Sequence, residues 1–377
     1  MSAPTLLHLC TPAEWRAALA DGALGLSGAA GRSMAESGFV HLSTAEQVAL
    51  PATRLFAGRE DIVALAVDAG RIADLRWEPG LPDDPSDMVF PHAYGPVPTG
   101  AVVAVLPFRP RPDGGFDAPG GPPARVDAVA RRDAMAYSVL RRLATSEQPV
   151  TAGVAVVTEA VSASYQHNQL LLDGPVAAAQ VISDAEHVLG AARLAHRAAT
   201  LRGVDAAATA AELGRHGWEV DHLVSLVTTP SAEPPRHHVH AERALPSELR
   251  AFWEASWLRS APGLTEEQRA QLSDRHEIED DTVDVHAMAI RENGLVVACC
   301  LLKIDGATAE LDAVETAPTH RGRGLGDALL AGALRQARQA GCDLVWLDAD
   351  AADWPRDWYR RRGFGEVGES WFCRRRA

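Results

Sequence analysis

The chain has few cysteines, and they are badly spaced for cross-linking. Cys10, Cys299, Cys300, Cys342 and Cys373 form an odd, scattered set with no Cys-x-x-Cys pair. That argues against a disulfide framework or a metal cluster and points to a reducing cytoplasm. No stretch approaches the ~20 consecutive apolar residues of a membrane span. The start, MSAPTLLHLCTPAEW, lacks the basic and long apolar segments of a signal peptide. Positive charge is in deficit: 36 Lys and Arg against 50 Asp and Glu leave a net charge of −14. A general nucleic-acid or anionic-membrane binder is therefore not expected. What the chain does have is length and apolar content. Its 377 residues, 47% hydrophobic, are enough for two or three domains with proper cores.

Residues 109–124, RPRPDGGFDAPGGPPA, hold nine Pro or Gly in sixteen positions, so no regular element persists there. They read as a flexible Pro/Gly linker. A weaker break, TTPSAEPP, covers 228–235. The expected domains are 1–108, 125–230 and 236–377. In the first, Leu6 to Leu9 reads as a strand. A helix then starts behind Thr11 as N-cap, with Pro12 first and Glu14 third. Gly38 to Leu42 reads as a strand, and Ser43 or Thr44 as the cap of a helix over AEQVALPATRLF. DIVALAV (61–67) and AVVAVL (101–106) read as buried strands, which makes a small α+β domain.

The other two domains look alike. Gly217-Trp218-Glu219-Val220 follows a helix and precedes a strand, as does Gly363-Phe364-Gly365-Glu366-Val367. Each helix follows an expected strand, 195–201 and 343–349, which points to an internal duplication. The sharpest motif is Arg321-Gly322-Arg323-Gly324-Leu325-Gly326, between the strand TAELDAVETA and a strongly helical run. Glycines let a backbone approach an anion, a helix N-terminus points amides and partial positive charge at it, and arginines add forked donors. Spacing alone leaves a dinucleotide site open, because Asp348 and Asp350 lie near the expected acidic position.

The run Arg-x-x-Gly-x-Gly, a strand, then Trp358-Tyr359-Arg360-Arg361-Arg362-Gly363-Phe364, resembles the GNAT family of acetyl-CoA-dependent N-acetyltransferases over about 285–373. The resemblance implies that Arg321, Gly322, Arg323, Gly324, Leu325 and Gly326 hold the coenzyme pyrophosphate. It implies that the strand 309–316 splays from 343–349, with Val314 and Thr316 meeting the pantetheine or thioester. It also implies that Tyr359 protonates the leaving thiolate. The acceptor amine must lose a proton before attack. Glu315, Asp312 and Asp348 are the candidate bases, with a water relay as the alternative. The basic local balance, eleven arginines against eight acidic residues over 318–377, suits a polyanionic coenzyme.

Aligning Gly217 with Gly363 puts Leu213 where Tyr359 stands. The segment 125–230 has no Arg-x-x-Gly-x-Gly, and Leu172-Asp173-Gly174-Pro175 precedes its helix. It reads as a degenerate GNAT copy that covers a sheet edge and shapes the acceptor cleft, with Tyr165 to Asn168 facing either the acceptor or a turn.

In the first domain His8, His41, Ser43, His92 and Tyr94 are a candidate site. The runs from Gly38 to Val48, Phe56 to Arg59 and Phe90 to Pro96 resemble the DUF952 family, and the His-Leu-Ser run resembles RNA 2′-phosphotransferases. This implies an ADP-ribosyltransferase-like fold, with NAD as a possible ligand. The strand AVVAVLPF lacks the catalytic acid of that group, and nothing in the sequence ties Glu78, the nearest acid, to the site.

The expected architecture is therefore α+β followed by α/β. A small ADP-ribosyltransferase-like domain precedes tandem GNAT folds with mixed central sheets. The expected activity is acetyl transfer from acetyl-CoA to a primary amine of a small molecule or protein. ADP-ribosyl transfer and a non-catalytic acyl-CoA sensor are the alternatives. No metal, nucleic acid or membrane partner is expected, and the chain is a monomer or a homodimer.

Overall fold

A computed structural model describes residues 3–25, 33–80, 88–230 and 239–377. Part of the expected break at 228–235 therefore lies outside the described residues.

The N-terminal unit starts with β1 (Thr5–Cys10). Next comes α1 (Pro12–Asp21), whose Thr11 and Glu14 cap each other's backbone as expected. Two short pieces follow, β2 (Ala23–Leu24) and α2 (Met34–Ser37). β3 (Val40–His41) leads to α3 (Ala49–Leu55). This helix begins later than expected, and neither Ser43 nor Thr44 caps it: Val48 is the N-cap. The later start puts Pro51 in the first turn, where its missing N–H costs no helical hydrogen bond. β4 (Ile62–Asp68), β5 (Leu75–Pro79), β6 (Val89–Ala93), β7 (Val97–Pro98) and β8 (Val102–Phe108) complete the unit. Its main sheet runs β1-β4-β8, and a second runs β3-β6-β5.

Segment 109–124 carries no regular element, as expected, yet it is no free tether. Phe116 is buried and stacks on Phe108 at 5.1 Å.

The middle unit runs α4 (Ala128–Leu143), β9 (Ser146–Val150), β10 (Gly153–Val157), β11 (Gln169–Asp173), α5 (Ala178–Ala185), β12 (His196–Arg202), α6 (Ala206–Arg215) and β13 (Glu219–Thr228). The C-terminal unit opens with β14 (Glu242–Ala244) and α7 (Arg250–Ser260). It then repeats the same order: α8 (Glu266–Asp280), β15 (Asp284–Glu292), β16 (Leu295–Asp305), β17 (Thr308–Thr316), α9 (Leu325–Gln339), β18 (Leu344–Asp350), α10 (Trp354–Arg360) and β19 (Gly365–Arg376).

The middle unit covers an edge of its neighbour by adding a strand to it. The two units build one sheet, ordered β14-β15-β16-β17-β18-β13-β19-β12-β11-β10-β9. Each last strand pairs with the other unit's penultimate strand, β13 with β18 and β19 with β12. β13 and β19 also pair with each other in the middle. The backbone groups β18 and β12 would leave bare at an edge are thus satisfied by the exchange. Helices α9 and α10 cover one face of the C-terminal half, over a core that includes Leu329, Ala333, Val345 and Phe364. α4 and α7 pack on the opposite face through Met135, Trp253 and Trp346.

The N-terminal unit grips the turn between β16 and β17. The Ala307 amide donates to the Val102 carbonyl at 2.7 Å, and Thr308 Oγ1 to the Val103 carbonyl at 2.9 Å. Gly306, at φ +77°, lies so close that a Cβ would stand 2.4 Å from the Val102 oxygen. The Trp15 indole donates to Asp305 at 2.7 Å, and Arg142 binds the other oxygen of that buried carboxylate.

Candidate active site

The loop from Arg321 to Gly326 lies between β17 and α9. Gly322 and Gly324 adopt φ +74° and +75°, and a Cβ on either would meet nothing within 4 Å. Gly324 is the N-cap of α9, and no side chain caps the helix. Its first amides and the positive end of its dipole therefore face open space, an arrangement made for an anion. Arg321 reaches back to the Thr316 carbonyl at 3.2 Å, and Arg323 pairs with Glu292. Both lie at the surface beside the loop.

β17 and β18 pair in parallel only at Thr308–Leu344, Ala309–Val345 and Glu310–Trp346. Beyond that point they part, in the region where the sequence anticipated a splay. A register shift against β16 falls in the same stretch, with Ala313 at φ +50°. The shift keeps Val314 packed toward the α9 face, while Glu315 turns toward α7.

Tyr359, on α10, is buried on the α9 face. Burial, with Cys300 and Asp312 nearby, pushes its phenol well above the ordinary value, so it stays protonated at neutral pH. Among the described residues no hydrogen bond engages its hydroxyl. Glu315, the other expected catalytic residue, accepts from Ser256 at 2.7 Å and pairs with Arg259 at 3.1 Å.

The opposite face holds a cavity of about 280 Å³ under α4, lined from both units. Glu310, Asp312, Lys303 and Asp348 are in its wall. Lys303, the chain's only lysine, is fully buried. Its Nζ lies 2.9 Å from Asp312, 3.0 Å from Glu279 and 3.5 Å from Glu310. Burial opposes its charge, but the three carboxylates outweigh burial and hold it protonated. For Asp312, too, burial is outweighed by Lys303, and its carboxyl is held well below the usual range. Glu310, farther from Lys303, is pushed by burial up to about 7. A carboxylate near 7 in a cavity wall is suited to take a proton from an amine. Sequence reasoning passed over Glu310, because only its burial and its distance from Lys303 set it apart from its neighbours. Asp348, a candidate base, is held by Arg132 at 2.5 Å and by Ser225 at 2.7 Å.

The middle unit differs at each corresponding place. β11 and β12 stay paired from Leu170–Ala199 through Asp173–Arg202, so no gap opens. Only four residues, including Pro175, separate β11 from α5, against eight between β17 and α9. The Leu213 carbonyl accepts from the amides of His216 and Trp218, and the Tyr359 carbonyl from those of Arg362 and Phe364. Leu213 thus occupies the position of Tyr359 by geometry as well as by sequence. In the run from Tyr165 to Asn168, Gln166 lines the cavity, Tyr165 stacks on His196, and His167 bonds Ser164 and Glu279.

In the N-terminal unit His41, His92 and Tyr94 converge around Phe39, and His8 joins them through the backbone of His41. Phe39 stacks on His92 at 4.1 Å and meets His41 at 4.8 Å and Tyr94 at 5.3 Å. His8, lowered by burial, bonds the His41 carbonyl through Nδ1 at 2.9 Å. Burial, with His92 and His8, lowers His41 to about 4, so it is neutral at pH 7. Ser43 is buried and exchanges backbone hydrogen bonds with Leu7. One expectation is corrected: Glu78 does belong to this cluster. It lies 2.8 Å from His92 Nδ1 and accepts from Tyr94 Oη at 2.9 Å. β5 brings it there by pairing with β6, a contact invisible in a sequence read locally.

Comparison with known proteins matches two stretches of the chain. Residues 9–105 match the family described as protein of unknown function DUF952, and residues 244–364 match the acetyltransferase (GNAT) family. A conserved protein of unknown function from Staphylococcus epidermidis has a similar fold. It shares 15% identity over 62% of this chain and 93% of its own, with TM-score 0.50. A GCN5-related N-acetyltransferase from Kribbella flavida shares 21% over 63% and 91%, with TM-score 0.46. A Caulobacter crescentus protein shares 30% identity over 30% of this chain and 93% of its own, with TM-score 0.26. No curated protein matches the chain. The chain thus carries a DUF952 domain and a GNAT acetyltransferase domain, and it is an acyltransferase of that type. Among the described residues no helix is long and apolar enough to cross a membrane.

Proposed function

We propose that the chain transfers the acetyl group of acetyl-CoA to a primary amine. The observation that carries this reading is the parting of β17 from β18 beside the uncapped N-terminus of α9. The amides of Arg321 to Gly326 take the coenzyme pyrophosphate, with Arg321 and Arg323 as charged donors. The pantetheine arm lies in the gap, against the backbone of Val314 and Thr316. The amine enters from the cavity on the other face as an ammonium and gives one proton to Glu310, which passes it to solvent. Its nitrogen attacks the thioester carbonyl. As the new C–N bond forms, the nitrogen gives its second proton to the same carboxylate, and the C–S bond breaks. Tyr359 gives its proton to the leaving sulfur, and the proton held by Glu310 returns to the phenolate through solvent. The products are the N-acetyl amide and coenzyme A.

The 125–230 unit is on this reading a degenerate GNAT copy that holds no coenzyme. Its strands stay closed, its turn is short and carries Pro175, and Leu213 has no proton to give. The exchanged strands give one chain the two-part sheet that a homodimer would otherwise build. Calorimetric titration with acetyl-CoA tests this. One coenzyme per chain, lost in Gly324→Trp, is expected. No binding overturns the acyltransferase site, and two per chain overturn the degenerate copy.

A second reading concerns the N-terminal cluster, favoured by Glu78 joining His92 and Tyr94. On it the domain binds NAD, and Glu78 supplies the acid its last strand lacks. NAD titration of the wild type and Glu78→Gln tests it, and absence of binding to the wild type removes it.

A further inference from the structure

We infer that the middle unit selects the acceptor, and that the acceptor is a small primary amine carrying an anionic group at its far end, which Arg202 receives. The inference rests on the proposed acetyl transfer. It starts from an asymmetry of the cavity under α4. Every carboxylate that lines it comes from the C-terminal unit, namely Glu279, Glu310, Asp312 and Asp348. The wall from the middle unit holds Arg132, Arg202, Tyr137, Gln166, Gln169 and Thr200, and no carboxylate. The strand order turns this into a direction. β17, with Glu310 and Asp312, and β12, with Arg202, are four strand steps apart. That is about 19 Å between backbones at ~4.8 Å per step, and side chains reach inward from both ends. Lys303 holds Asp312 and Glu279 and Arg132 holds Asp348, so Glu310 is the carboxylate left to meet an ammonium group at the first end, while Arg202 disfavours one at the second.

The two arginines are not equivalent. Arg132 is committed to Asp348 and Asp133. Arg202 is more than nine-tenths buried, its Nε donates to Tyr137 Oη at 2.9 Å, and one terminal nitrogen pairs with Asp133. Among the described residues no acceptor meets its other terminal nitrogen. A buried guanidinium with free donors on a cavity wall is a site for a carboxylate or a phosphate. At about 280 Å³ the cavity is of a size for a small acceptor.

The test uses the full chain, acetyl-CoA and a thiol-release assay. The probes are ω-amino acids of four to eight carbons, the alkylamines of the same lengths, and the matching diamines. At least tenfold higher kcat/KM for one of the ω-amino acids than for its alkylamine and diamine is expected. Arg202→Gln is expected to raise the KM for that amino acid at least tenfold and leave the acetyl-CoA Kd unchanged. Arg202→Lys, which keeps the charge, is expected to restore part of the preference. Because the wild-type comparison needs no variant, misfolding of a variant leaves the test intact. Preference for the diamine or alkylamine, or turnover of none of the series by a chain that binds acetyl-CoA, overturns this inference alone. Failure to bind acetyl-CoA overturns the acetyl-transfer reading itself.

Discussion

The Nζ of Lys303 lies 2.9 Å from Asp312 Oδ2 in the middle of the sheet, and it is the only lysine amine in the chain. Asp312, two residues from Glu310, thereby stays ionised. The pair sets the electrostatics of the strand along which the thioester is proposed to lie.

Removing that amine leaves Glu279, Glu310 and Asp312 without their shared cation. Lys303→Met is expected to cost about 3–5 kcal/mol of stability, the usual scale for stripping one partner from a buried charge cluster. Denaturant unfolding measures it. Conversely, amine-reactive labelling of the folded chain is expected to modify the N-terminus and spare Lys303, which reacts only after unfolding. Mass spectrometry after digestion distinguishes the two.

Glu310 is expected to govern a rising acid limb of kcat/KM. Burial raises its carboxyl to about 7, and a base works only when deprotonated, so activity climbs as pH passes upward through that value. Glu310→Gln is expected to lower kcat by roughly 10²–10⁴-fold and to abolish that limb. Stability runs the other way. A raised carboxyl pKa favours the folded protein at low pH, and the advantage is lost between the unfolded value near ~4.3 and about 7. An unchanged pH profile in Glu310→Gln would assign the proton to another group.

Tyr359→Phe removes one hydroxyl from a ring packed among Cys300, Phe364 and Trp358. A fall in kcat of about 10²-fold or more is expected, with the acetyl-CoA Kd unchanged. Because the ring and its packing persist, the melting temperature is expected to move little. Equal kcat in the two proteins would take the proton-donor role from Tyr359.

Gly306 joins the N-terminal unit to the root of β17. Gly306→Val meets the Val102 carbonyl and must also hold a positive φ. Overpacking and backbone strain together are expected to cost about 2–4 kcal/mol. Limited proteolysis is expected to cut 109–124 faster in the variant, since Phe116 loses the seating it shares with Phe108.

What the sequence determined by itself is contiguous. The Thr11–Glu14 cap, the loop from Arg321 to Gly326 and the matching turns at Gly217 and Gly363 each depend on a few neighbouring residues. Backbone conformation and helix-end amides are set at that range. The features on which we propose a degenerate middle unit were also legible, because a missing glycine motif and a leucine in place of a tyrosine are local facts. Tertiary structure decided everything that depends on distant residues meeting. It exchanged β13 with β19, since unpaired strand edges are satisfied by whichever strand is nearest in space. It set Glu310 apart from Asp312 through their unequal distances from Lys303. It brought Glu78 to His92 through β5 and β6, and it turned Arg202 toward a cavity whose carboxylates lie more than seventy positions further along the chain. Charge and burial act through space, and the order of residues along the chain does not record that space.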